Sequence, residues 1–402
     1  MITRKSLHVT WVMPVVMALA WILSMTAQEA GVARVLYEPS QRFGDFILVV
    51  YAVPHSGNYP PGFEAITEWF VNNPGYKDGR FTIMHLPPFS MLLTVLASKL
   101  FQILSPMLVF FVLTIALVVS FFSTLRTKTG AAIAYTAILS YPVAFMIDRG
   151  NLYAGLCGAC LVAALVRRKT DAVGIMLFAV ALNIRPNALP VLLPLLIAHR
   201  NIDWRFGLRV GIAAVALGVA SAIMAHALYP EYTLSSFRHG MSLYLKGTLD
   251  SPLMLAFGSS AYSALYAMGF PSLVLGTVLA GTLASVAIIV RYFGELDAGN
   301  FTFICVSAYA LGSAVFVDYH MIVFIAPLIM SEDKTTKLAS LLLLIPKSYF
   351  LINYNPSKIE THYTTTQVLT NPAIMILVSG FILIAGALNY LRKSANGAPA
   401  SV

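Results

Sequence analysis

Apolar runs bounded by short basic clusters recur from one end of this chain to the other, and that pattern leaves few ways to fold. Only 11% of the 402 residues are charged while 58% are apolar, and the mean hydropathy is +0.78. A soluble domain carries about a quarter charged residues. Runs such as "VTWVMPVVMALAWILSM" (9–25) suit the roughly 30 Å hydrocarbon core of a bilayer, where backbone polar groups must be paired within the segment. An all-α polytopic membrane protein is therefore expected, its first run an uncleaved helix rather than a signal peptide. The net charge of +9 sits largely in clusters between runs, as in cytoplasmic loops, and calls for no nucleic acid. Three cysteines make no disulfide framework, and Cys157 and Cys160 read as small packing residues.

The runs between charge clusters predict spans near 8–27, 106–125, 130–147, 152–166, 171–184, 187–198, 206–228, 271–290, 299–317, 321–330, 336–353 and 371–391. One further run, "LPPFSMLLTVLASKLFQIL" (86–104), is the odd one. If it crossed, Arg126/Lys128, Arg167/Arg168/Lys169, His199/Arg200/Arg205 and Lys334/Lys337 would all lie outside. If it lies on or dips into the outer face, they fall inside with Arg4/Lys5 and Arg392/Lys393. The expectation is thus about 12 spans with both termini cytoplasmic. The chain forms one integral-membrane domain (1–402), with a long external loop (28–105) carrying interfacial helices and a short cytoplasmic tail (392–402).

Several spans are too short. Asn151 to Arg167, Asp171 to Arg185, Asn187 to His199 and His320 to Ser331 each fall below the core thickness at about 1.5 Å per residue. Basic residues hold their inner ends at the headgroups, so their outer ends stop short of the outer surface. Arg149, Arg185 and His320 are expected to line a recessed hollow, because charges at membrane depth persist only facing a cavity or a partner.

One carboxylate stands out against this background. "QRFGDFILVVYA" (41–52) sets Asp45 between two apolar runs, where a plain N-cap role competes with a catalytic one. An outward-facing pocket with one acid and several cations suits sugar transfer from a polyprenyl phosphate. The acid takes the proton of an acceptor hydroxyl, and Arg and His stabilise the departing phosphate. One base with attack opposite the leaving group predicts inversion.

The motifs "GDF…VY", "HLPPF", "RGN", "IRPN" and "DYH", in this order, resemble glycosyltransferase family 87, the polyprenol-phosphate-mannose-dependent mannosyltransferases of the GT-C superfamily. The resemblance implies a GT-C bundle with its active site on the non-cytoplasmic (periplasmic or extracellular) side of the cell membrane, and mannose as the sugar. It also implies that Asp45 is the catalytic aspartate and His320 a donor-site histidine. Arg185, Arg149 and Lys347 (inside "LLLLIPKSYFL") are read with the donor phosphate. His85, Asp148, Asn151 and Tyr319 are placed in the acceptor region or pocket wall. Arg149 beside Asp148 disfavours a cation, so metal-independent transfer without a cofactor is expected. The partners are then the bilayer, the lipid-linked donor and a glycolipid or glycan acceptor. A lipid-linked polysaccharide polymerase and a secondary transporter remain alternatives; the clustering of polar motifs at one face and the lack of a repeat weigh against the transporter.

Overall fold

The computed structural model describes residues 11–30, 85–101, 108, 111–112, 114–116, 128–165, 167, 171–249, 258–270, 272–293, 296–313, 316–346, 351–353, 363–365 and 367–395. Among these the chain is mostly helical and is built as a membrane protein. Four helices are long and apolar enough to cross a bilayer: α1 (Val12–Glu29), α8 (Trp204–Leu228), α11 (Leu273–Phe293) and α15 (Gln367–Ala395). A fifth candidate is the bent pair α3 (Lys128–Ile138) and α4 (Tyr141–Arg149), which turns by 50°. The remaining helices are α2 (Pro88–Phe101), α5 (Leu152–Leu165), α6 (Ala172–Ile184), α7 (Leu189–Leu196), α9 (Leu234–Leu249), α10 (Ala261–Ala267), α12 (Ala298–Gly312), α13 (Ile325–Met330) and α14 (Lys334–Leu344).

Aspartates mark one face of the bundle. Asp171, Asp203, Asp297 and Asp333 precede α6, α8, α12 and α14, and each side chain accepts backbone N–H groups of the first turn. That satisfies donors which a helix start otherwise leaves orphaned. The same face is tied across helices. Asp297 also accepts from Ser331 Oγ (3.2 Å) at the end of α13. The Arg291 Nε–H at the end of α11 donates to the Ile197 carbonyl (3.0 Å), and the Arg200 N–H to that of Tyr292 (2.8 Å). Residues 197–202 form a two-stranded hairpin, β1 (Ile197–Ala198) with β2 (Asn201–Ile202), that the sequence reading did not foresee.

The helices differ in what surrounds them. Along α8, Trp204, Leu208, Ile212, Val215, Val219 and Ile223 are each more than half exposed. Their spacing of three and four residues puts them on one stripe, as a lipid-facing helix requires. By contrast α5 and α12 bury nearly every side chain, and so does α13. Small residues permit this: a methyl group on Gly158 would meet Ile322 Cγ1 at 2.7 Å, and one on Gly299 would meet the Ser331 backbone at 2.1 Å.

Two predicted spans end differently. The expected span 336–353 stops at Leu344. Ile345 is extended (ψ 148°), as the residue before a proline prefers, and Pro346 cannot continue the helix. Residues Leu351–Asn353 (β3) instead pair antiparallel with Tyr363–Thr365 (β4). The span 130–147 breaks at Ser140, extended at ψ 146°, so that Pro142 falls in the first turn of α4 where its missing N–H costs nothing. The span 106–125 lies largely outside the described residues; its described positions are helical.

One bond fixes the depth of the short helices. Near the end of α6, Asn183 Nδ2 donates to the Ala214 carbonyl of α8 (2.9 Å). From Ala214, α8 climbs 14 further residues to Leu228 (228 − 214), roughly 21 Å at 1.5 Å per residue. The end of α6 therefore lies near the middle of the long helix beside it.

Candidate functional site

The site is made where short helices end. Gly150 closes α4 in the left-handed region (φ 74°), where a glycine carries no side-chain penalty. The N–H groups of Gly150 and Asn151 turn back to the carbonyls of Ile147 (3.1 Å) and Met146 (2.8 Å). The chain can then start α5 at once, with Asn151 Oδ1 accepting the Ala154 N–H (3.4 Å). Asp148 and Arg149, in the last turn of α4, are buried. At the end of α6, Arg185 precedes Pro186 and is accordingly extended (φ −150°, ψ 132°). A 3-10 turn, Pro186–Ala188, then leads into α7.

Three of the five motifs meet directly. Arg185 Nη2 donates to Asn151 Oδ1 (2.9 Å), and Arg185 Nη1 is in contact with His320 Nε2. His320 belongs to the 3-10 turn Asp318–Phe324, which also contains Tyr319. Its Nδ1 accepts the Val317 N–H (3.2 Å), and the Phe316 ring packs edge-on against it at 5.3 Å between centroids. Asn187, the last residue of "IRPN", accepts from the Tyr309 hydroxyl of α12 (3.1 Å). Arg185 comes two residues after Asn183, so this knot sits roughly 15–20 Å below the end of α8. His320 is only 5% exposed there.

The fourth motif reaches the knot through α2. Ser90 Oγ donates to the carbonyl of Ile184, the residue before Arg185 (3.2 Å), and Thr94 hydrogen-bonds the Tyr153 hydroxyl. Met91, Leu92 and Val95 of α2 pack with Ala225 of α8 and with Tyr232. His85 stacks on Tyr244 of α9 (3.8 Å, 9°), while the Tyr232 hydroxyl donates to the neighbouring Leu86 carbonyl (2.9 Å). Burial raises the Tyr232 phenol well above its ordinary value, so it remains a donor. Asp45 and Lys347 lie outside the described residues.

A second polar chain, which sequence reading missed, backs the His320 turn. Asp318 Oδ1 accepts from Ser259 Oγ (2.8 Å), and Ser259 Oγ accepts from Asn371 Nδ2 (2.9 Å), all three buried. Gly258 and Val317 pair as an isolated antiparallel bridge, with the Ser259 N–H donating to the Phe316 carbonyl (2.7 Å). Asp318 was visible as the first letter of "DYH". Ser259, followed by Ser260, and Asn371, preceded by Thr370, are polar residues beside apolar runs, the one signal that could have flagged them.

Chemically, the knot offers a partly buried guanidinium and a buried imidazole, both oriented by neighbours. Such a pair is suited to an oxyanion. No family model, curated protein or solved structure matches this chain.

Proposed function

We propose that this protein is an inverting glycosyltransferase that moves a sugar, mannose by the family resemblance, from a polyprenyl phosphate to a hydroxyl of a lipid-linked or glycan acceptor. The observation that carries the reading is the joining of Asn151, Arg185 and His320 beside the middle of α8, a helix long enough to cross a bilayer. A charged side chain at that depth is costly and marks a functional site by default. The order of the five sequence motifs supports the same reading. The remaining spans, to about 12, the outward-facing site, the cell-membrane location and the interfacial role of α2 belong to this proposal. The contacts of α2 with Ile184, Tyr153, Ala225 and Tyr232 hold it beside the knot.

In the reaction, Asp45 takes the proton of the acceptor hydroxyl, and that oxygen attacks the anomeric carbon from the face opposite the phosphate. The bond from the anomeric carbon to the phosphate oxygen breaks, and its electron pair leaves with the polyprenyl phosphate. Arg185 and His320 meet the charge that grows on that phosphate, with Arg149 and Lys347 as further cations. Donors already oriented at developing charge need no reorganisation when it appears. Asp148, Tyr319 and His85 line the acceptor side. No metal takes part in this scheme.

The test is to incubate membranes holding the protein with several polyprenyl-phosphate sugars and to weigh the lipid products. A new glycosylated lipid with inverted linkage is expected from one donor, unaffected by chelator. Asp45→Asn should lower its rate about 10²–10⁴-fold in a folded protein, the usual yield of a positioned base. Normal turnover by that variant would end the proposal.

A further inference from the structure

The foot of α8 breaks a local rule. Cations are unfavourable at a helix N-terminus, where the backbone dipoles already present positive charge. Yet Arg205 stands in the first turn of α8 and Arg209 one turn further on, with no acidic residue in that turn. Between Arg200 and Arg209 the chain carries three arginines against one carboxylate. That carboxylate, Asp203, accepts the Phe206 N–H (3.1 Å) as the helix cap. Arg205 and Arg209 are exposed, and among the described residues neither pairs with a carboxylate. Local preferences are overridden mostly at functional sites, and two guanidiniums one turn apart suit an anion.

Their level on the helix selects the kind of anion. From Val210 to Leu228 α8 holds no Asp, Glu, Lys or Arg. Those 19 residues (228 − 209) rise about 28 Å, close to the roughly 30 Å hydrocarbon core. Arg209 is thus the last residue before the hydrocarbon, at the level of lipid phosphates. Trp204, 62% exposed, stands just outside it, where amphipathic rings gather at a membrane interface. The Arg205 guanidinium lies over that indole, 5.5 Å from its centroid, so the two side chains brace each other. Arg205, Arg209, Ile212, Val219 and Ile223 follow helical spacing, so the cations and the exposed apolar side chains share one side of α8. A soluble anion would match the charges alone; a lipid matches the charges and the stripe.

We propose that Arg205 and Arg209, braced by Trp204, bind the phosphate of an anionic phospholipid in the leaflet at the aspartate-capped face, with its acyl chains along the exposed stripe of α8. A zwitterionic lipid brings a cation of its own to the two arginines and fits less well. The bound lipid sets the height of α8 in the membrane. Through the Asn183 bond to the Ala214 carbonyl it also sets the height at which α6 ends. The site stands whether or not sugar is transferred at the Arg185 knot.

The test uses the full chain in phosphatidylcholine nanodiscs. They contain a rising fraction of phosphatidylglycerol, or in the other arm phosphatidylcholine, brominated near the headgroup end of its acyl chains. Bromine quenches indole fluorescence at short range. The protein has four tryptophans, so the Trp204 signal is taken as the difference from Trp204→Phe. Trp204 should be quenched at a far lower fraction of the brominated phosphatidylglycerol than of the brominated phosphatidylcholine. The half-quenching fraction of phosphatidylglycerol should rise about fivefold in Arg205→Gln or Arg209→Gln and about 25-fold in the double variant, as one basic residue near a membrane surface implies. Arg205→Lys with Arg209→Lys keeps both charges and should stay within about threefold. Arg167→Gln removes an arginine already paired with Asp171 and should change nothing. If the glutamine variants fail to integrate, the two brominated lipids compared on the wild-type protein still decide. Equal quenching by both lipids, quenching by neither, or an unchanged preference in the double glutamine variant would overturn the proposal. So would displacement of the brominated phosphatidylglycerol by inorganic phosphate, which would assign the arginines to a soluble anion.

Discussion

Helices α6 and α8 pack side by side and are both strongly apolar, yet they obey different rules. The long one, α8, is sized by the bilayer: Trp204–Leu228 covers its thickness, and half of its surface is a stripe of exposed Leu, Ile and Val. The short one, α6, is sized by what it delivers. It begins at an Asp171 cap on the charged face and stops at Ile184, level with the middle of its neighbour, so that Arg185 opens into the protein interior. Length alone separates a helix that meets lipid from one that ends in a polar knot. The Asn183 bond to the Ala214 carbonyl is the joint between them. The Ala214 carbonyl of α8 accepts that bond, while Val215, one position on and about 100° further round the helix, is 67% exposed.

The contrast is most easily broken at Val215. If the stripe on α8 faces lipid, Val215→Lys places an ammonium near the bilayer centre and should destabilise the helix by about 3 kcal/mol. On a water-facing surface the same change would be nearly neutral. The yield of folded, membrane-integrated protein distinguishes the two, and wild-type yield from the lysine variant would remove the lipid-facing assignment. A slightly smaller effect, about 2–3 kcal/mol, is expected from Gly299→Ala among the buried helices. The added methyl group would sit 2.1–2.4 Å from Ser331 atoms, most of them backbone, which cannot swing aside. Unfolding by denaturant should show the loss, whereas the same exchange at Gly281 of α11, where a methyl group meets nothing within 4 Å, should not.

Much of this contrast was legible in the sequence, and the reason is physical. Aspartate N-caps and basic clusters are local signals, so the charged face and most helix starts could be read directly. The shortness of the runs before Arg167, Arg185, His199 and Ser331 pointed to recessed far ends, and the end of α6 lies beside the middle of α8. It led to Arg149, Arg185 and His320, of which the fold brings Arg185 and His320 into contact. The depth itself was not legible, since it depends on which residue of α8 stands beside Asn183. Nor was the Asp318–Ser259–Asn371 chain, whose members are 59 and 112 residues apart and are joined only by folding. The expected span through Lys347 failed because the apolar run outvoted Pro346, a local breaker that was there to be weighed. His85 was placed with the acceptor on motif order, and it stacks on Tyr244 of a helix whose sequence gave no sign of meeting it.

The smallest expected effect lies at the opposite end of α6, and it sharpens the comparison by showing how differently one helix treats its two termini. Arg167 donates to Asp171 (3.0 Å), and that bond, with the Val173 N–H, holds the Asp171 carboxyl below its ordinary value. A depressed carboxyl adds stability that is present above its unfolded pKa and is lost as pH falls through the lower folded one. The loss should therefore appear only below about pH 4. Both side chains are about a third exposed, so solvent screening keeps the contribution slight. Asp171→Asn separates the charge from the cap, because asparagine caps a helix about as well as aspartate. The variant should melt close to wild type at neutral pH and lose a small part of the acid-dependent decline. A large destabilisation at neutral pH would mean that the Arg167 pair is sheltered from water, and that the charged end of α6 is buried in the same manner as the end that carries Arg185.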